Sequence, residues 1–94
     1  MSESQVVLLP ERFDFSNHKV FTEQCEQFLA NSQGKQLTLD FSRVTYLDSS
    51  ALGMMVLLHR RAEPLGKRLA IRGAQGTAKE VLDVANMQRL YTIE

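Results

Sequence analysis

The stretch Val44–Met55, VTYLDSSALGMM, places an aspartate and two serines directly before a run of apolar residues. Asp48, Ser49 and Ser50 all favour the N-cap of a helix, because a side-chain oxygen there accepts a hydrogen bond from a backbone N–H that otherwise lacks a partner. We therefore predict that a helix begins at residues 48–50. One cap needs one side chain and three are present, so a second role at this position, such as a chemical switch, stays open.

The predicted helix runs to about Ala62 and is apolar on nearly all sides over two turns. Its apolar side chains form two groups on different sides, Leu52, Met55 and Val56 in one and Met54, Leu57 and Leu58 in the other. Such a helix is normally buried. Two interpretations remain open: neighbouring elements cover its first half, or part of it is an exposed patch for a partner. The flexible methionines slightly favour an adaptable contact surface.

Outward from this helix, apolar periodicity and breaker residues predict alternating strands and helices. The predicted elements are a strand at 5–9 before Pro10, a helix at about 16–30, a two-faced strand at 36–41, the helix from 48–50, a strand at 68–73, a helix at 77–87 and a short strand at 90–93. Only one strand precedes the first helix, and Gly34 is available as its left-handed cap. This order predicts an α/β fold with a small, mostly parallel (mixed) sheet of about four strands. We expect one domain over residues 1–94.

Composition narrows the possible partners and the compartment. Lys+Arg and Asp+Glu both total 11 among 94 residues, so the formal net charge is zero, and neither nucleic acid nor an anionic membrane is indicated as a partner. The first residues do not resemble a signal peptide, and the longest apolar run, Ala51–Leu58, is too short to cross a bilayer. Cys25 is the one cysteine, so no internal disulfide framework is predicted. We expect a cytoplasmic protein without membrane insertion.

Catalytic and metal-binding patterns are weak in this chain. His18, His59 and Cys25 lack the spacing of metal ligands, and no G-x-S-x-G, Walker or G-x-G-x-x-G pattern is present. A small hydrolase that uses Ser49 remains a remote alternative. We expect no enzymatic activity, no metal and no cofactor.

The segment Leu37–Gly73, LTLDFSRVTYLDSSALGMMVLLHRRAEPLGKRLAIRG, resembles the STAS domain of bacterial anti-sigma factor antagonists, most closely over residues 36–94. The resemblance implies that Ser49, the serine after the motif aspartate, is phosphorylated by a partner serine kinase. It implies a partner-binding surface formed by Asp14, Asp48, Ser50, Leu52, Gly53 and Met54. Asp14 is matched to a kinase-binding aspartate before the first helix, although Pro10 stands where relatives often have glycine, and Ala51 replaces the more common glycine in the motif.

The same resemblance implies a protein-interaction switch without catalysis. Its unphosphorylated form would bind an anti-sigma factor with a serine kinase domain, or a response regulator. Phosphorylation would release that partner, and a serine phosphatase would restore the binding form. The alternative within this fold is an unphosphorylated STAS subunit of a lipid-transport ABC system, which would contact the transporter ATPase.

Overall fold

The computed structural model describes residues 4–94 and contains six strands and three α-helices in that range. In chain order these are β1 (Ser4–Leu8), β2 (Arg12–Phe13), α1 (His18–Ala30), β3 (Gln36–Asp40), β4 (Tyr46–Leu47), α2 (Ser49–Ala62), β5 (Arg68–Arg72), α3 (Gly76–Val84) and β6 (Thr92–Ile93). Short 3-10 helices at Phe15–Asn17, Glu63–Leu65 and Met87–Arg89 complete the chain.

The main sheet has four strands in the order β1-β3-β5-β6, and each neighbouring pair is parallel. This confirms the predicted α/β fold and its four-stranded parallel sheet. Each crossover advances in the same direction across the sheet. Because parallel crossovers are right-handed, α1, α2 and α3 are all expected on one face.

The burial of the strands agrees with this one-sided arrangement. Val7, Leu39 and Ile71 lie side by side in register and belong to the hydrophobic core together with residues of all three helices. The next row, on the opposite face, contains Thr38 and Ala70, which are buried but are not part of that core. The two faces predicted for β3 are therefore present, but Thr38 at its centre is not solvent-exposed.

The prediction that only one strand precedes the first helix is wrong. Arg12–Phe13 forms β2, which pairs in parallel with β4 as a separate two-stranded ladder. The Phe13 ring is fully buried and contacts the rings of Phe21 and Phe41, and this aromatic packing fixes the ladder. Two residues are too few to show an alternating pattern, so these strands have no recognisable sequence signal.

The end of α1 also differs from its prediction. Gly34 does not have a positive φ angle and instead packs beside the Phe28 ring. The ammonium group of Lys67 donates to the carbonyl oxygens of Phe28, Leu29 and Asn31 at 2.7, 3.2 and 2.6 Å. A cation at a helix C-terminus satisfies free carbonyl groups and interacts favourably with the helix dipole. The cap of α1 therefore comes from a residue 36 positions beyond Asn31.

Candidate functional site

Asp48 is the N-cap of α2. Its Oδ1 atom accepts a hydrogen bond from the backbone N–H of Ala51 at 2.9 Å, and its backbone oxygen accepts from the N–H of Leu52 at 3.2 Å. The helix therefore starts with Ser49 as its first residue and Ser50 as its second. The sequence left three candidates for the cap, and the structure assigns it to Asp48.

Ser49 is exposed at the first position of α2, and its hydroxyl makes no hydrogen bond to any residue within 4–94. Ser50 is half-buried. The basic residues of α2, His59, Arg60 and Arg61, lie in its last turn, at the opposite end from Ser49. A hydroxyl at the N-terminus of a helix of 14 residues lies where the helix dipole and unpaired N–H groups stabilise an anion.

Asp14 caps the 3-10 helix that precedes α1. Its Oδ1 accepts from the N–H of Ser16 at 3.0 Å and from the Ser16 hydroxyl, and its own N–H donates to Oδ1 of Asn17 at 2.9 Å. Its Oδ2 accepts from Nε of Arg12 at 2.7 Å. The Ser16 hydrogen bond, and then Arg12, lower the pKa of the Asp14 carboxyl below its usual value.

The pairing of β2 with β4 places the two capping aspartates, Asp14 and Asp48, at the same end of a two-stranded ladder. Phe13 is in register with Leu47, so Asp14 and Asp48 both follow the last residue of their strand at the same end of a parallel pair. Each then starts a helical segment, so the register places both starts at the same end of the ladder. The structure thus brings Asp14 to the Asp48–Ser49 motif, although 34 residues separate them in sequence.

The aromatic and basic side chains around this site were missed by the sequence analysis. The Arg12 guanidinium lies 4.4 Å from the centroid of the Tyr46 ring, which is exposed, and Arg12 also pairs with Asp14. The exposed Phe15 ring stacks on His18 at 5.3 Å. Arg12 and Asp14, two positions apart on either side of Phe13, are a weak sequence signal, and the contact with Tyr46 depends on a strand pairing that the sequence does not reveal.

The apolar helix α2 is buried on one side and partly exposed on the other. Ala51, Met55 and Leu58 face the core, whereas Leu57 is 58% exposed. Leu52 is half-buried and lines a cleft of about 320 Å³ between α2 and α3, together with Thr77, Glu80, Val81, Val84 and Ala85.

On the other side of α2, Met54 is half-buried and lines a groove against α1. Gly53 is exposed between these two apolar edges, with open space where a Cβ atom would lie. The candidate surface therefore consists of the Ser49 hydroxyl and of the helix backbone at Gly53, which is exposed between the side chains of Leu52 and Met54.

Residues 4–94 were also compared with the requirements of a metal site and of a reactive cysteine. No cluster of histidine, cysteine or acidic side chains with the arrangement of a metal site occurs there. Burial raises the pKa of the Cys25 thiol to about 12, so the reactive thiolate is not formed at neutral pH. Within the same range, no helix is long and apolar enough to cross a membrane.

Comparison with known proteins connects this geometry to a family. A family model described as "Mlab, STAS domain" matches residues 1–92. The chain belongs to the STAS domain family. A STAS-domain containing protein of Pseudomonas aeruginosa (strain UCBPP-PA14) is 30% identical over 82 residues, which cover 87% of this chain and 79% of that protein.

Solved structures share the fold of this STAS domain. The protein TM1081 of Thermotoga maritima superposes with a TM-score of 0.78 at 25% identity, over 94% of this chain and 77% of that chain. The anti-sigma factor antagonist SpoIIAA of Bacillus, in its unphosphorylated form, gives a TM-score of 0.81 at 15% identity, over 99% and 82% of the two chains. SpoIIAA in its phosphorylated form gives a TM-score of 0.75.

Proposed function

We propose that this STAS domain is a protein-interaction switch controlled by phosphorylation of Ser49. The observation that carries the proposal is the division of roles at the start of α2: Asp48 makes the cap, and the Ser49 hydroxyl next to it is exposed and has no structural partner among the described residues. A serine required to start the helix would have its oxygen in the cap. This one is accessible to a kinase.

The partner in this proposal is an anti-sigma factor with a serine kinase domain, or a response regulator, and a serine phosphatase restores the binding form. This class of partner is supported by SpoIIAA, which shares the fold and is an anti-sigma factor antagonist with a solved phosphorylated form. The domain itself performs no catalysis in this scheme. Asp14, Asp48, Ser50, Leu52, Gly53 and Met54 form the contact surface around Ser49.

A charge change at the surface explains how such a switch works without unfolding. Phosphorylation adds about −1.5 to −2 charge at neutral pH. The helix N-terminus stabilises that charge within the domain. The same charge lies next to the carboxylates of Asp14 and Asp48 and beside the apolar edges at Leu52 and Met54. A partner surface that fits the neutral hydroxyl would meet an unpaired charge, which costs several kcal/mol at an interface.

The test uses Ser49→Asp and Ser49→Ala. The native partner is captured from cells and identified, then purified and titrated by calorimetry against each variant. Ser49→Ala should bind like the unmodified protein, whereas Ser49→Asp should bind at least about tenfold more weakly, which is about 1.4 kcal/mol. Ser32→Asp is the matched control, because it adds the same charge at an exposed serine in the α1–β3 connection and should leave the affinity unchanged.

Folding and the site of modification are checked separately. An aspartate in the first turn of a helix interacts favourably with the dipole, so circular dichroism and melting of all variants should agree closely. Phosphopeptide mapping with the cognate kinase should find phosphate on Ser49. Equal affinities of the Asp and Ala variants, or phosphate on Ser50 alone, would contradict the proposal, and capture of a transporter ATPase would favour the ABC-subunit alternative.

A further inference from the structure

Arg12 carries unpaired hydrogen-bond donors close to the start of α2. Its Nε donates to Oδ2 of Asp14 at 2.7 Å, whereas its two Nη groups make no hydrogen bond within residues 4–94. An arginine has five N–H donors in a rigid fork, so most of them remain for another acceptor. The guanidinium also lies over the Tyr46 ring, 4.4 Å from its centroid. Two contacts therefore position this group while leaving most of its donors free.

The pairing of β2 with β4 turns Arg12 towards the side from which α2 begins. Arg12 is in register with Tyr46. The next pair of the ladder, Phe13 and Leu47, is buried. Because side chains alternate between the two faces of a strand, Arg12 and Tyr46 lie on the exposed face. Ser49 follows Tyr46 by three positions, which at strand spacing is on the order of 10 Å from Arg12 between Cα atoms.

The charges around Ser49 are unfavourable for a phosphate unless a cation is supplied. Asp48 directly precedes Ser49, and Asp14 follows the neighbouring strand at the same end of the ladder. The basic residues of α2 are confined to its last turn, at the far end of a helix of 14 residues. The Arg12 guanidinium extends towards the start of α2, because it reaches Asp14 two positions further along the chain. The ladder thus supplies Arg12 as a cation to this acidic end.

We propose that Arg12 is the counter-ion of phosphorylated Ser49 and that its free Nη groups bind the phosphate. This inference rests on the proposed function, since it concerns the modified form of the same serine. Arginine binds phosphate through parallel N–H···O hydrogen bonds, which are stronger than those between neutral groups. Asp14 and Tyr46 already hold the fork, so little side-chain freedom is lost on binding. The contact offsets the repulsion between the phosphate and the carboxylates of Asp14 and Asp48.

The test uses the full chain with phosphoserine inserted at position 49 by genetic code expansion, so it requires neither the kinase nor the partner. Phosphorus NMR over a pH titration measures the second pKa of the phosphate, which is about 6 for an ordinary phosphoserine. A nearby cation stabilises the doubly charged form and lowers this pKa. Arg12→Gln should therefore raise the phosphate pKa by about 0.5 unit, the size expected of an exposed ion pair.

Three further variants separate the fork, its charge and its neighbour. Arg12→Lys keeps the charge without the fork and should give an intermediate phosphate pKa. Arg60→Gln is the matched control, because Arg60 is exposed in the last turn of α2 and its loss should leave the phosphate pKa unchanged. In an Asp14→Asn background, Arg12→Gln should still raise the phosphate pKa, since Arg12 acts on the phosphate directly and not only by screening Asp14.

A second measurement follows Arg12 itself. The side-chain N–H signals of Arg12 should become protected from exchange with water when position 49 carries phosphate, and should stay unprotected in the unmodified chain. Circular dichroism verifies that Arg12→Gln is folded, as expected for a side chain that is 68% exposed. If this variant does not fold, the protection of the Arg12 signals in the parent chain decides the question.

An unchanged phosphate pKa in Arg12→Gln, an equal rise in Arg60→Gln, a rise that disappears in the Asp14→Asn background, or unprotected Arg12 signals would each overturn the inference. The proposed function fails by a different result. Absence of phosphate on Ser49 after incubation with the kinase would contradict the switch, whereas the inserted phosphoserine would still report whether Arg12 binds a phosphate at this position.

Discussion

Adjacent polar residues at the start of α2 have different physical roles. The Asp48 carboxylate is held by the Ala51 N–H, while Ser49 projects into solvent one residue later. Asp14 combines two roles, because one of its oxygens caps a helical turn and the other pairs with Arg12. Its change to alanine should lower the stability of the fold, because the hydrogen bonds that its carboxylate accepts from Ser16 are lost.

Asp14→Asn separates the charge of this residue from its capping role. The amide oxygen can still accept from Ser16, so Asn should lower the free energy of unfolding less than Ala. The folded pKa of Asp14 is depressed, so the stability from its ionised form is present above the unfolded pKa of about 3.9 and is lost as pH falls through the lower folded pKa. Acid titration of stability should therefore be flatter for Asp14→Asn and Asp14→Ala than for the parent. Identical acid profiles would show that the Asp14 charge does not stabilise the fold.

At the scale of elements, one side of α2 is buried against the core and the other side is exposed to solvent. Ala51, Met55, Leu58 and Ala62 are buried, whereas the helix backbone at Gly53 is open to solvent. A glycine inside a helix lowers its stability, and no close packing inside the domain requires one here. We expect the benefit of Gly53 to lie in close approach of the partner to α2.

Gly53→Ala should raise the free energy of unfolding by about 0.5–1 kcal/mol, since the added methyl group meets no atom and the unfolded chain loses freedom. The same change should weaken binding of the partner identified in the capture experiment. Gly66→Ala is the control: Gly66 has a φ of 69°, where a Cβ atom is strained, so that variant should be destabilised. Chemical denaturation measures both, and a destabilised Gly53→Ala protein would contradict the open environment at this position.

In the whole molecule, one-directional crossovers place the three helices on one face of the sheet, and residues of all three belong to the hydrophobic core there. The chain segment before β6 is tied to this helix layer by Tyr91, whose buried hydroxyl donates to the Met55 carbonyl oxygen at 2.8 Å. Burial raises the pKa of the Tyr91 hydroxyl well above its usual value, so it remains a hydrogen-bond donor. The hydrogen bond joins the C-terminal segment to α2, the helix that carries Ser49.

Tyr91→Phe should lower the free energy of unfolding by about 0.5–1.5 kcal/mol, because it removes one buried hydrogen bond with little change in shape. Tyr46→Phe is the matched control and should have little effect, since Tyr46 is exposed and its hydroxyl bonds to no described residue. Urea denaturation followed by circular dichroism gives both values. Equal losses in the two variants would show that the hydrogen bond to Met55 contributes no specific stability.

The sequence by itself determined the order of the main elements and the position of the candidate switch. Apolar periodicity marked the four sheet strands and three helices, because the core faces of strands and helices repeat every two and about 3.6 residues. The cluster at Asp48–Ser50 indicated the start of α2 for the local reason that side-chain oxygens satisfy free N–H groups. The family resemblance singled out Ser49, and the family was confirmed, while the role of Ser49 stays a prediction.

Only the tertiary structure decided features that depend on contacts between distant residues. The choice of Asp48 as the cap, the β2–β4 pairing that brings Asp14 to the site and the Lys67 cap of α1 are examples. A cap can be filled by any suitable oxygen or cation that the fold brings near, and a two-residue strand is stabilised by its neighbours rather than by its own pattern. Local sequence sets which side chains can make such contacts, and packing of the whole chain sets which of them do.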